Sequence, residues 1–357
     1  MSWYRIGILV LVMIVLFGIV IWYYYTRPLY IGPVSAHFDG RQFYYKESNT
    51  FRDTIKWLRE MEMVIWPDWI NDPLQKAPEE YVKMGEIKVT YINHATVLIQ
   101  VDEVNILTDP IWSERAGWDG RVGVKRIRAP GIAFEDLPRI DVILISHDHF
   151  DHLDLPTINQ LIKEYNPQIL VGLGVKSVIG TKRSSKITEM DWWQDWTLPY
   201  TDIKFTFVPA RHNSGRSIIG RNRTLWGGFV IEGSGGNIYF AGDTGYDELF
   251  LEINKRFGSF QLTILPIGSY EKRWYMIHHH MNPDDAVRAH MTLESLQSIG
   301  IHYATFNEHP EQAVDAHEKD LLIALEKYGL PKAKFWVLGF GEGRYVITVD
   351  EDEREVE

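Results

Sequence analysis

Between positions 147 and 152 the chain reads His147-Asp148-His149-Phe150-Asp151-His152, three imidazoles and the carboxylate of Asp151 within six residues. Imidazole nitrogen and carboxylate oxygen are the donors that suit zinc and its neighbours. Too few such donors to saturate the metal leaves room for water, the requirement of a hydrolytic site. Further donors follow at intervals. His212 comes after Phe205-Thr206-Phe207-Val208, Asp243 after Ile238-Tyr239-Phe240-Ala241-Gly242, and His302 lies in Gly300-Ile301-His302-Tyr303. With no cysteine among 357 residues, a metal site here must be built from His, Asp and Glu.

These donors need rigid elements to hold them. The run Asp141–Ile145 is apolar and β-branched, so it reads as a buried strand that delivers the His-x-His-x-Asp-His loop from its C-terminal end. Similar short runs at 87–92, 96–101, 105–108, 168–172, 203–209, 227–232, 237–241, 262–267, 301–306 and 335–338 predict further strands. Helical patterns interleave at 155–165, 246–257, 283–298 and 313–328. Early strands come in hairpins and later ones alternate with helices, which predicts an α/β fold of two sheets face to face with helices outside. Ligands at strand ends would then be held on stiff scaffolding.

The N-terminus differs in kind. Residues 6–25 carry no charge and end in Trp22-Tyr23-Tyr24-Tyr25. A stretch of about 20 apolar residues crosses a hydrocarbon core as a helix, and terminal aromatics suit its interface. No small-residue cleavage site follows, so an uncleaved single-pass anchor over 1–26 is expected. Arg5 and the amino terminus on one flank only marginally outweigh Arg27 on the other. The expected location is the bacterial inner membrane with the body outside the cytoplasm. The expected organisation continues with a linker and packing arm over 27–86, including an amphipathic helix near 50–63, a hydrolase domain over 87–345 and an acidic tail over 346–357. The formal net charge of −11 argues against a nucleic-acid partner.

The order His147, His149, Asp151, His152, His212, Asp243, His302 resembles the metallo-β-lactamase superfamily. The match is closer to its N-acyl-phosphatidylethanolamine-hydrolysing phospholipase D branch. Supporting stretches include Asn93-His94-Ala95-Thr96, Leu107-Thr108-Asp109-Pro110, Thr224-Leu225-Trp226-Gly227, Gly242-Asp243-Thr244-Gly245 and His280-Met281-Asn282-Pro283, and the likeness spans about 89–343. The resemblance implies an αββα sandwich with two Zn²⁺ per chain. His147, His149 and His212 would hold one ion, and Asp151, His152 and His302 the other, with Asp243 bridging. Asp109 would orient a ligand. His280 and the residue at Phe150 would meet the phospholipid headgroup, so Asp151, Asp243 and His280 are the expected catalytic groups. Phe150 and Asn213 replace a Tyr and a Trp of the family pattern, which puts substrate preference in question. The reading is a zinc-dependent phosphodiesterase acting on a membrane lipid, with homodimerisation open. Hydrolysis of a lactone, a β-lactam or a nucleotide phosphodiester on the same fold is the alternative. Two basic clusters flank the ligands, Arg121, Lys125, Arg126 and Arg128 on one side and Arg211, Arg216, Arg221 and Arg223 on the other. They could focus a phosphate-bearing substrate.

Overall fold

The computed structural model describes residues 3–46, 49–73, 75–180, 186–217, 220–307 and 311–346. The acidic tail expected beyond position 346 lies outside these.

Helix α1 (Trp3–Thr26) is apolar around its circumference beyond Arg5 and buries none of its candidate span Trp3–Tyr23. It is long and apolar enough to cross a membrane. The arm that follows carries α2 (Phe51–Glu60). Thr50 caps it through the N–H of Asp53, while the Asp53 carboxylate accepts from the Thr50 N–H. This reciprocal cap sets the helix start one residue beyond Thr50, inside the predicted 50–63.

The body begins with a seven-stranded sheet: β1 (Ile87–Asn93), β2 (Thr96–Val101), β3 (Val104–Thr108), β6 (Val142–Ile145), β7 (Gln168–Gly172) and β8 (Ile187–Met190) lie in that order. A small hairpin of β4 (Arg115–Trp118) and β5 (Val122–Lys125) projects from it. The second sheet runs β9 (Asp195–Thr197) to β15 (Phe335–Trp336) in chain order, through β10 (Lys204–Val208), β11 (Gly228–Gly233), β12 (Gly236–Phe240), β13 (Phe260–Pro266) and β14 (Ser295–Ile301). Finally β16 (Gly343–Val346) returns to pair antiparallel with β1 and completes the first sheet.

The inner faces meet in one apolar core containing Val97, Ile99, Leu144, Phe207, Phe229 and Ile264. Outside the first sheet, α3 (Leu155–Tyr165) buries Ile158 and Leu161 against Ile143, Ile145 and Ile169; the short α4 (Val175–Ile179) lies beside it. Outside the second, α5 (Leu249–Phe257), α7 (Pro283–Thr292) and α8 (Ala316–Tyr328) bury Phe250, Val287 and Leu321. This is the αββα sandwich.

Two sequence expectations need correction. The helix expected over 283–298 stops at Thr292, where Leu293 caps it and Glu294 turns left-handed at φ +50°. The strand expected over 301–306 occupies Ser295–Ile301 instead, paired with β13 in parallel. Both errors have one cause: a strand buried on both faces directly after a helix looks like that helix continued. The hairpin β4–β5 and the edge strands β8, β9 and β16 went unrecognised because they are short and less apolar.

Candidate metal centre

The parallel strands β3, β6, β12, β13 and β14 end on one rim of the sandwich, where open α/β sheets place their ligand crevices. Asp109 follows β3, the 147–152 loop follows β6, Asp243 follows β12 and His302 follows β14. His212 arrives after β10, and His94 occupies the β1–β2 turn. Asp109, His94 and His302 have φ of +34°, +47° and +64°, left-handed values that non-glycine residues rarely adopt. Such strain gathers where a side chain's direction matters more than backbone comfort. Gly268 is compelled by the same crowding, because a Cβ there would lie 1.8 Å from the carbonyl oxygen of His302.

The hydrogen bonds behind the imidazoles decide what each presents to the centre. Ser146 Oγ donates to Asp109 Oδ2 at 2.5 Å, so His147 Nδ1–H donates to Ser146 Oγ at 2.9 Å. His152 Nδ1–H donates to Asp109 Oδ2 at 2.7 Å, and His212 Nδ1–H to the carbonyl of His279 at 3.0 Å. Each ring thus has its rear nitrogen protonated and aims the Nε2 lone pair inward, the arrangement of a metal-ligating histidine. His149 Nδ1 lies 2.8 Å from His147 Nε2 and 3.3 Å from His212 Nε2. His149 Nδ1 meets these lone pairs as an N–H donor in one tautomer and, in the other, converges with them as a third lone pair for a shared cation. Burial and the neighbouring imidazoles hold His147 well below the ordinary range, and burial also lowers His149 and His212, so all three are unprotonated at neutral pH.

A second cluster joins His94, Asp151, His152 and His302. His94 Nε2 lies 2.8 Å from Asp151 Oδ2; His152 Nε2 lies 3.0 Å and His302 Nε2 3.4 Å from the same oxygen. Asp243 Oδ2 lies between the clusters, 3.3 Å from His152, 3.2 Å from His302 and 3.7 Å from His212. Burial alone would raise both carboxyls, but His152 and His302 outweigh it and keep Asp151 and Asp243 well below the usual carboxylate range. Against their own burial, the same pairing raises His302 to about 10 and His152 well above 6.5. Two buried carboxylates that favour positive charge at the inward nitrogens of His152 and His302 mark a place built for a cation, which takes the position a proton would otherwise hold on those nitrogens. His152 Nε2, Asp243 Oδ1 and both His302 nitrogens have no hydrogen-bond partner of good geometry. These donors fit a metal pair.

All seven expected ligands therefore converge, and Asp109 stands behind His147 and His152 as expected. His94 is the residue whose role sequence reasoning missed. Its turn was visible among the family-like stretches, yet a lone histidine at a hairpin says nothing of Asp151, fifty-seven residues away. A cavity of about 180 Å³ opens over the centre, lined by Asn213, Arg221, Tyr275, Met276, His279 and His280 as well as by the ligands His149, Asp151, His212, Asp243 and His302. His280 Nδ1 lies 3.7 Å from Asp243 Oδ2, on the wall of this cavity. Phe150 does not line it: its ring lies under the Arg216 guanidinium at 3.9 Å and beside Trp118. Arg216 Nη1 donates to the carbonyls of Asp148 and Leu153, clasping the 147–152 loop. Arg126, pushed down to about 10 by burial, holds the carbonyls of Ser113 and Ile111. Arg126 and Arg216 are thus structural, and of the eight basic residues Arg221 lines the cavity. Of the histidines beside His280, His278 meets Arg211 Nη2 at 2.6 Å and His279 meets Asn213.

Residues 104–303 match the family model described as the Beta-lactamase superfamily domain. The N-acyl-phosphatidylethanolamine-hydrolyzing phospholipase D 1 of Caenorhabditis elegans is 40% identical over 227 residues, 61% of this chain and 64% of that protein. The mitochondrial N-acyl-phosphatidylethanolamine-hydrolyzing phospholipase D of Saccharomyces cerevisiae is 33% identical over 226 residues, 62% of this chain and 48% of that protein. The chain thus spans less than two thirds of either relative's length. Among solved structures, the isothiocyanate hydrolase from Delia radicum gut bacteria superposes with TM-score 0.58 at 20% identity, covering 73% of this chain and 100% of that one.

Proposed function

Because this chain belongs to the β-lactamase superfamily, we propose that it is a membrane-anchored phosphodiesterase that carries two Zn²⁺ and cleaves N-acyl-phosphatidylethanolamine to phosphatidic acid and an N-acylethanolamine. The observation that carries the reading is the pair of donor clusters with Asp243 between them beneath one open cavity. His147, His149 and His212 would hold one ion; Asp151, His152 and His302 the other; Asp243 would bridge. A bound metal pair supplies an activated water and a clamp for anionic phosphoryl oxygens. The protein's own groups do the remainder. Asp109 keeps His147 and His152 in the ligating tautomer. His280, on the cavity wall, faces the phosphoryl oxygens and neutralises charge developing on them. Arg221 adds a fixed positive charge for a phosphate-bearing substrate. Water oxygen bonds to phosphorus as the bond from phosphorus to the N-acylethanolamine oxygen breaks, and the proton given up by that water ends on the leaving oxygen as N-acylethanolamine. The phospholipase relatives support this substrate class, and α1, which we read as an uncleaved membrane anchor, supports a substrate residing in the bilayer.

The test is turnover by the zinc-loaded full chain in heavy-oxygen water, against N-acyl-phosphatidylethanolamine, generic phosphodiesters, a lactone and a β-lactam. Label in phosphatidic acid is expected. Label in the N-acylethanolamine, or cleavage of the lactone alone, overturns the phospholipase reading.

A further inference from the structure

A second hollow, of about 480 Å³, lies where α1 meets the body. Three segments wall it. The last turns of α1 contribute Trp22 and Tyr23, both well exposed, and Arg27 follows directly. The arm contributes Asp39 and Arg41, and the loop after His212 contributes Arg223. These walls are tied together. Arg223 Nη1 donates to the carbonyl of Arg27 at 3.1 Å, Gln42 Nε2 to the carbonyl of Arg221 at 3.0 Å, and the Phe43 N–H to the carbonyl of Asn222 at 2.7 Å. The hollow is therefore built rather than left between loose segments. Among the described residues three guanidinium groups and one carboxylate line it, in a chain whose net charge is −11. Oδ1 of that carboxylate is engaged by its own turn, accepting the N–H groups of Arg41 and Gln42 at 2.7 Å each. A neighbouring smaller cavity shares Arg27 and Arg223 and reaches inward to Arg216 and Asp148 at the 147–152 loop.

We propose that this hollow binds the phosphate of an anionic glycerophospholipid belonging to the bilayer that α1 spans. The inference rests on the anchor reading of α1. Trp and Tyr at the end of an apolar helix mark the level of the headgroups. Arg27 lies about 8 Å further along the helix axis than Trp22, at the rise of about 1.5 Å per residue, which places it at the phosphates. Guanidinium is the side chain that pairs with phosphate through two parallel hydrogen bonds, and each basic group near a membrane surface adds to anionic-lipid preference. Apolar Trp22 and Tyr23 on the bilayer side suit the acyl chains, and the arginines on the body side suit the headgroup. The body would thereby be docked in one orientation relative to the lipid surface.

The experiment uses the full chain in vesicles of equal phosphatidylglycerol and phosphatidylcholine, with retained lipid counted by native mass spectrometry after extraction. Wild type is expected to retain phosphatidylglycerol preferentially. The double variant Arg27→Gln/Arg41→Gln is expected to lose that preference by about thirtyfold, from two charges at the headgroup level, while its melting temperature and bound metal match wild type. Lys163→Gln/Lys255→Gln, on exposed helix faces elsewhere, should retain it. Equal retention of both lipids by wild type, or an unchanged preference in the arginine variant, overturns the site. So does displacement of the lipid by equimolar inorganic phosphate, which would make it a site for free phosphate. Alkaline carbonate treatment separates the two readings. Release of the full chain means that the anchor fails and this site with it, whereas a carbonate-resistant chain without lipid preference loses this site alone.

Discussion

Asp243 and Asp109 show how one carboxylate can matter through position rather than charge alone. Asp243 Oδ2 lies within 3.7 Å of His152, His302 and His212, so it serves both clusters at once. Asp243→Asn is expected to lower metal content from about two equivalents to below one, read by elemental analysis after zinc reconstitution. Unchanged content would mean that the carboxylate does not bridge. Asp109 touches no substrate; it accepts from Ser146 and His152 and so fixes two imidazole tautomers. Asp109→Asn should lower zinc affinity roughly 10- to 100-fold with the fold intact, measured by competition with a chelator. His280 acts later. Replacing it by Ala should slow turnover roughly 100- to 1000-fold if it stabilises phosphoryl charge, with metal content unchanged, and a wild-type rate would remove it from the mechanism.

At the scale of elements, the arm couples to the site through α2. Its Trp57 stacks on Tyr275 with ring centroids 5.1 Å apart and donates to Glu311 Oε2 at 2.7 Å, while Thr54 and Asn49 hold the Tyr275 hydroxyl and carbonyl. Tyr275 belongs to α6 (Arg273–Met276), which walls the metal cavity. The arm thus braces the cavity from outside. Trp57→Ala removes an aromatic pair and a hydrogen bond, a loss of about 1–3 kcal/mol. The expected result is faster proteolysis of residues 49–63 with the body intact, together with a raised KM. An unchanged cleavage rate would show that the arm is held elsewhere. The sequence marked α2 as amphipathic but left its partner open, because the residues it meets lie more than two hundred positions away.

For the whole molecule, two properties follow from burial. Deleting residues 1–26 should release a folded hydrolase from membranes, since α1 buries nothing in the body over its candidate span. Carbonate-resistant membrane association of the deletion variant would place the attachment in the body. The second property is acid sensitivity. Burial pushes His290 and His317 down to about 4, so both are neutral in the folded state near pH 6, where the unfolded chain takes up protons. Their contribution is complete above pH 6.5 and is lost as pH falls towards 4, with a slope of at most about 2.7 kcal/mol per pH unit for two protons. Urea midpoints at pH 7.5, 6 and 5 test this, and His290→Gln should show a shallower slope than wild type. Parallel slopes would show that His290 titrates normally in the folded chain.

Residue type and order alone identified a hydrolytic metal centre. Imidazoles and a carboxylate cannot crowd behind an apolar run without a ligand to share, and the strand ends bearing His212, Asp243 and His302 were legible as local patterns. The αββα layering was equally legible, because alternation of short apolar runs with helical faces leaves few other ways to bury both. What needed tertiary structure was every relation across long separations. The approach of His94 to Asp151, the tautomers set by Asp109 and the His279 carbonyl, and the removal of Phe150 from the cavity to a place under Arg216 are facts of through-space distance. So is the strand Ser295–Ile301, whose neighbours on both sides rather than its own period make it β. A one-dimensional pattern records which face of an element is apolar, whereas only packing decides which distant groups that face brings within hydrogen-bond reach.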